Sequence, residues 1–287
     1  MDMLRKYYAA LKPERTYANV MTTGAGFLLA CKWHIHWGLL VATIAGTTAV
    51  VMSACGVNNC TDRGIDARMP RTKRRATVTG DVPIRRLAIL SIVLGIVGFG
   101  ILIWWVNWLV VLLGAVGYLD YVVLYGWTKR TTPWSTWVGT VSGAVPIAAG
   151  YVAVSDRLDT TALALALVML FWQMPHFYAI GIFRRKDYKS GGLPIWPVRY
   201  GVKNTQVWII ICTILYLYAV LWLAVVGSLG FIFGLVMGMM GVYWIGRGLR
   251  GFRSQDPEKW ARGMFGLSLV VLLVLAAGIA LAPVLPI

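Results

Sequence analysis

Apolar residues fall into long runs at 16–34, 38–57, 87–106, 108–127, 137–154, 161–183, 206–226, 229–247 and 264–285, with shorter polar segments between them. An α-helix rises about 1.5 Å per residue, so about 20 apolar residues cross the hydrocarbon core of a bilayer. Each run is close to that length. The pattern predicts an all-α membrane protein with nine transmembrane helices. Two prolines, Pro146 and Pro175, lie inside the fifth and sixth runs, where they free a backbone carbonyl and kink the helix. Glycines recur at helical spacing (Gly139 and Gly143; Gly230, Gly234 and Gly238), a pattern that suits close helix packing rather than phosphate binding.

Composition narrows the class. With 59% hydrophobic and 13% charged residues in 287, a soluble enzyme, a disordered tail protein and a disulfide scaffold are all excluded. The net charge of +16 could also belong to a nucleic-acid binder, so the placement of the bases decides. If the chain starts inside, the inner segments are 1–15, 58–86, 128–136, 184–205 and 247–263. Of the 27 basic residues all but Lys32 and Arg157 then fall on the inner side, the bias expected of cytoplasmic loops. Nucleic acid is thereby set aside as a partner, in favour of membrane lipid. An inside amino terminus and an outside carboxyl terminus follow, because merging or splitting any helix would scatter the later basic loops. The first run keeps Thr16 and Asn19 and has no small-residue cleavage site, so it reads as an uncleaved helix. The chain reads as one transmembrane domain over 1–287. Cys31, Cys55, Cys60 and Cys212 show no metal spacing and read as structural thiols.

The chemistry concentrates where polar residues meet the membrane. Asn58, Asp62 and Asp66 leave the second run at intervals of four, so a continuing helix places three oxygen-bearing side chains on one stripe. Neighbouring carboxylates at a low-dielectric boundary are costly unless a cation binds them. Magnesium characteristically combines one or two carboxylates with substrate phosphates. Arg68, Arg71, Lys73, Arg74 and Arg75 follow at once, and guanidinium groups bind phosphate oxygens in bidentate fashion. Stripe and bases together resemble a magnesium–diphosphate site, although Arg74 and Arg75 fit an ordinary solvated loop equally well.

A second cluster lies on the same side. Tyr125, Lys129 and Arg130 end the fourth run. The sixth contains Trp172-Gln173-Met174-Pro175-His176-Phe177-Tyr178, and Asp187 with Tyr188 follows in the next loop. Gln173 and His176 share a helical face beside a proline. His34 and His36 fall in the external loop at the end of the first run, so His176 is the single histidine inside a span, where an ionisable side chain points to function; by spacing alone it is a ligand, an acid–base group or a hydrogen-bonded core residue. Asp120 either pairs with a base or faces a cavity.

Asn58-x-x-x-Asp62-x-x-x-Asp66-x-x-Met69-x-Arg71-Thr72 is similar to the aspartate-rich motif of the UbiA-type intramembrane prenyltransferases. Further residues resemble the protoheme IX farnesyltransferase (heme O synthase) branch of that family: Lys12-Pro13 with Asn19, Tyr125-x-x-x-Lys129-Arg130, Gly143-Ala144-x-Pro146 with Gly150-Tyr151, Trp172-Gln173-x-Pro175-His176-Phe177, and Asp187-Tyr188. The likeness runs from about residue 5 to residue 265. One departure separates the chain from quinone-type relatives: Asp187 is followed four residues later by Gly191, so a second Asp-x-x-x-Asp pair is absent.

The resemblance implies a helical bundle around a central cavity open to the cytoplasmic side; the placement of the bases fits a bacterial inner membrane, with an organellar membrane as the alternative. It implies transfer of a farnesyl group from farnesyl diphosphate to a vinyl group of heme B, giving heme O, with product passing on to heme A synthase or a terminal oxidase. Magnesium would sit on Asp62 and Asp66, oriented by Asn58. Arg68, Arg71, Lys73, Lys129 and Arg130 would take the diphosphate, with Asp187 also at the substrate site. Tyr125, Trp172 and Tyr178 would face the allylic cation; Gln173 would orient a substrate, and His176 would contact heme or activate water. The rival readings are a prenyltransferase for a quinone precursor or other aromatic acceptor, and a transporter, whose sites usually lie near the bilayer midplane instead of at one face.

Overall fold

The computed structural model describes residues 3–284. Every regular element among them is helical. The long helices are α1 (Pro13–Cys31), α2 (Trp37–Thr61), α3 (Ile84–Trp105), α4 (Trp108–Thr131), α5 (Ser135–Ser155), α6 (Thr160–Phe183), α7 (Gly201–Val226), α8 (Gly230–Leu249) and α9 (Pro257–Leu281). They coincide with the nine apolar runs to within a few residues at most ends; α9 begins seven residues before its run. Eight of them, α2 to α9, are long and apolar enough to cross a membrane. Helix α1 is the exception, because Glu14, Arg15, Thr16, Asn19, Thr22 and Thr23 load its first half with polar groups.

Capping side chains define several ends. Asn107 accepts from the Val110 N–H at 2.9 Å before α4, and Asp159 from the Ala162 N–H at 3.0 Å before α6. Asp256 accepts from the Lys259 N–H at 3.0 Å before α9, where Pro257 takes the first helical position. Each satisfies an N–H that helix geometry leaves without a partner.

Each long helix packs on the next in sequence, and α9 returns to α1, closing a ring; α1 also lies along α5, and α6 along α9. Apolar side chains on the outer faces, such as Ile92, Ile96 and Val225, are exposed, as expected where hydrocarbon is the solvent. Trp104, Trp105 and Trp108 are exposed at one α3–α4 end, a position suited to a bilayer interface.

The α1–α5 contact depends on missing side chains. A Cβ on Gly26 would overlap the Ile147 carbonyl oxygen, and one on Gly150 would overlap the Thr23 carbonyl oxygen. Backbones therefore meet directly, the means by which helices associate without a hydrophobic driving force. Helix α4 carries a π-helical turn at Asp120–Leu124. The buried Asp120 carboxylate there accepts from the Ser142 N–H at 3.0 Å. This decides its role: it neither pairs with a base nor belongs to the cavity wall, but ties α4 to α5.

Gly26→Ala and Gly150→Ala are expected to lower the thermal midpoint of the detergent-solubilised protein, each costing ~3 kcal/mol because backbone cannot give way. Gly24→Ala, with open space around its Cβ position, is the control and leaves the midpoint unchanged; equal behaviour of all three would refute this packing account.

Candidate functional site

The bundle encloses a cavity of about 430 Å³ with walls from α1 to α6 and α9, α3 contributing Leu102, within the several-hundred-Å³ range of small-molecule sites. Much of the wall is apolar, including Val50, Val51, Val145, Met169, Leu269 and Leu272. On α1, Arg15, Asn19 and Thr22 line it at helical intervals. The polar stripe that kept α1 out of the apolar class therefore faces inward.

One end of the cavity is charged. There α1 begins and α2 and α4 end. Lys12 lies one turn before Arg15, Asn58 one turn past Cys55, and Tyr125 one turn past Tyr121, while Arg15, Cys55 and Tyr121 line the cavity. Lys12 donates to Asn58 Oδ1 at 2.8 Å. Lys129 bridges both oxygens of Asp62, at 2.6 and 2.7 Å, and Arg130 reaches Asp62 Oδ1 at 3.3 Å. Arg75 folds back onto Asp66 Oδ2 at 2.6 Å. Arg15 donates to the Tyr121 hydroxyl at 2.6 Å, Tyr121 stacks on Tyr125, and Lys129 lies over the Tyr125 ring.

The far wall comes from α6 and α9. Trp172, Gln173 and His176 all line the cavity. His176 stacks on Trp172 with ring centres 4.9 Å apart. Gln173 donates to the Thr140 and Met169 carbonyls at 3.1 and 3.0 Å. Its Oε1 occupies the space that a Cβ on Gly143 would need, which accounts for glycine there.

The predicted stripe runs through a break in the helix. Helix α2 stops at Thr61 and a separate turn spans Arg63–Asp66, with Asp62 at the junction. The Asp62 and Asp66 N–H groups still donate to the Asn58 and Asp62 carbonyls at 3.0 and 2.9 Å, so the four-residue spacing holds through the break; Asn58 meets Lys12, Asp62 meets Lys129 and Arg130, and Asp66 meets Arg75. Of the predicted phosphate-binding bases, Lys129 and Arg130 are in the cluster, whereas Arg68, Arg71 and Lys73 are exposed in the following loop. Arg71 lies 3.9 Å from Asp187, which Arg184 also approaches at 3.8 Å. Tyr178 requires a correction: it is buried beside Trp196 and absent from the cavity wall. Two positions beyond His176 is a rotation of about 200°, which turns it to the opposite face. Sequence reasoning does not single out Arg75 from its loop, and it misses Arg15, Tyr121 and Ser268. Only the Arg15–Asn19–Thr22 spacing carries a readable signal.

No three imidazole, thiol or carboxylate groups converge among the described residues. A divalent ion would rest on Asp62 and Asp66 with the Asn58 amide oxygen, completed by oxygens from an anionic ligand. The residues fit such an arrival of ion and anion together. Five bases, Lys12, Arg15, Arg75, Lys129 and Arg130, outnumber three acids, Asp62, Asp66 and Glu14 on the cavity wall, and the buried Asn58 Nδ2 has no acceptor. A phosphate oxygen would supply both needs. Burial, reinforced by Arg15, lowers Lys12 from its ordinary 10.5 to about 7.

A model of the UbiA prenyltransferase family matches residues 19–282. Protoheme IX farnesyltransferase 2 of Pseudomonas aeruginosa is 39% identical over 95% of this chain and 93% of its own length. The protein of that name from Shewanella loihica is 40% identical over 97% of this chain and 91% of its own. Among solved structures, a digeranylgeranylglyceryl phosphate synthase superposes with a TM-score of 0.82 at 14% identity over 99% of both chains. A UbiA homologue from Archaeoglobus fulgidus bound to GPP and Mg2+ gives 0.74 at 12% identity, covering 96% of this chain and 99% of that one. At these identities the two structures establish the fold.

Lys12 makes stability depend on pH with a definite sign. Between about 7 and 10.5 the unfolded chain holds the proton that the folded chain has lost, so folding stability rises with pH across that window. Lys12→Met is expected to flatten the rise in thermal midpoint of the ligand-free protein between pH 7 and 10; an unchanged slope would count against a desolvated Lys12.

Proposed function

The chain belongs to the UbiA prenyltransferase family, and on that premise we propose that it transfers a farnesyl group from farnesyl diphosphate to a vinyl group of heme B, with addition of water and release of diphosphate, giving heme O. It is an integral multi-pass membrane protein. The observation that carries the reading is the cationic cluster around two acids at the end of an apolar cavity. Such a site suits a molecule with a hydrocarbon tail and a diphosphate head. The relatives named for heme farnesylation favour heme as acceptor, and so does Gly191 where a second aspartate pair would end. On this reading α1 is the ninth crossing, the bundle is one domain over 1–287, and the cluster faces the cytoplasm from a bacterial inner membrane. The amino terminus is then inside and the carboxyl terminus outside.

Asp62 and Asp66, with Asn58, would hold magnesium, which would supply Lewis-acid stabilisation of the departing diphosphate. Lys129, Arg130, Arg75 and Lys12 hold the phosphate oxygens. Arg68, Arg71 and Lys73 add charge from the loop beside Asp187. Their positive field favours the extra negative charge that the diphosphate gains as it leaves, which lowers the barrier to breaking the allylic C–O bond. Trp172 and Tyr121, with Tyr125 stacked behind it, offer aromatic faces to the cation that develops, each worth roughly 0.5–2 kcal/mol. Gln173 fixes the wall against which the acceptor lies, and the apolar lining keeps bulk water from the cation. The farnesylated product remains lipophilic, so its transfer to heme A synthase or a terminal oxidase would occur within the membrane.

Purified protein given heme B, farnesyl diphosphate and magnesium is expected to yield a product with the mass of heme O, and none from a hydroxybenzoate acceptor; the reverse preference would sink the heme assignment. Asp62→Asn and Asp66→Asn should each reduce turnover at least about a hundredfold while the protein still inserts. Chelation by EDTA should abolish turnover and added magnesium restore it. Near-normal rates in either experiment would reject the diphosphate site.

A further inference from the structure

The contact between His176 and α9 defines a proton position. His176 Nδ1 lies 2.8 Å from Ser268 Oγ. The Ser268 hydroxyl is fully buried and donates its one proton to the Phe265 carbonyl at 2.6 Å. With that proton committed, Ser268 Oγ can only accept from His176, so Nδ1 carries the imidazole proton and Nε2 keeps a lone pair. The ring cannot readily turn to escape this arrangement. It stacks on Trp172 and meets Phe265, with ring centres 4.9 Å away in both cases. Trp172 is itself fixed, its Nε1 donating to the Ser268 carbonyl at 2.8 Å. Among the described residues Nε2 meets no hydrogen-bond partner, and His176 lines the cavity.

Resting on the functional reading above, we propose that Ser268 is a positioning residue that holds His176 in the Nδ1–H form, so that Nε2 accepts the proton of the water added to the farnesylated vinyl group. The allylic C–O bond breaks and diphosphate leaves with the electron pair. The vinyl π electrons form the new C–C bond, leaving a cation on the carbon next to the porphyrin ring. Water oxygen bonds to that carbon, and one water proton passes to Nε2. Among the described residues His176 is the one imidazole on the cavity wall, whose charged groups, Glu14 and Arg15, belong to the start of α1. Without Nε2, the cation is relieved by losing a proton from carbon, and the product lacks one water.

Two readouts test this. In the protein labelled with 15N-histidine, the His176 resonances of the wild type should report Nδ1–H, and Ser268→Ala should shift them toward Nε2–H, with His34 and His36 unchanged. In turnover, Ser268→Ala should lower kcat roughly tenfold with KM for farnesyl diphosphate unchanged. The unhydrated product should increase, and Ser268→Thr, which keeps the hydroxyl, should restore both rate and hydration. An Nε2–H spectrum in the wild type overturns the proposal, as does Ser268→Ala with wild-type kcat and product. If the wild type does not farnesylate heme at all, the functional reading and the proton-acceptor role fall together, while the spectrum alone judges whether Ser268 sets the tautomer.

Discussion

The seating of Asp66, buried, and Asp62, half-buried, among bases at the end of an apolar cavity is the constraint on which the arrangement depends. A carboxylate removed from water is tolerated only when paired, and removing one partner of such a pair typically costs ~3–5 kcal/mol. Lys129 on Asp62 therefore does more than neutralise charge: it ties the end of α4 to the end of α2. Arg75 on Asp66 pins the loop after α2 back onto its origin. Thr72 donating to the Asp66 carbonyl and Asn59 donating to the Ala10 carbonyl complete the rim. The same contacts that satisfy the acids also leave a cationic surplus, which makes the rim a place for an anion.

The cavity behind the rim exists because the helices around it approach at some contacts and part at others. Gly26 and Gly150 bring α1 and α5 into backbone contact. The π turn at Asp120–Leu124 adds a residue to α4 just where Asp120 engages α5, and Tyr121 next to it lines the cavity. Pro146, four residues beyond Ser142, removes the N–H that the Ser142 carbonyl would otherwise accept from. The π turn and both in-helix prolines thus lie in helices that border the cavity, the setting in which a membrane protein tolerates irregular backbone.

Much of the rim is legible in the amino-acid sequence. Asn58, Asp62 and Asp66 stand out because acids and amides seldom occupy helix ends at the bilayer boundary without a partner, and Lys129 and Arg130 because they close an apolar run. The loop from Arg68 to Arg75 is not separable that way. Five bases in eight positions look alike in sequence, and which one reaches Asp66 depends on how the chain turns. Arg75 does, while Arg68, Arg71 and Lys73 stay exposed. Tyr178 faces away from the cavity despite its place beside the motif, since an aromatic residue there carries no mark of its rotation.

The sequence by itself determined the all-helical membrane class, the position of the nine apolar runs and the confinement of nearly all charge to the segments between them, because bilayer thickness and the cost of charge in hydrocarbon act on every residue independently. Tertiary structure alone decided which bases meet which acids, that the polar stripe of α1 faces inward, and that Ser268 meets His176 across 92 residues of chain. Those pairings depend on how helices distant in sequence are rotated against one another, and no local pattern encodes that rotation.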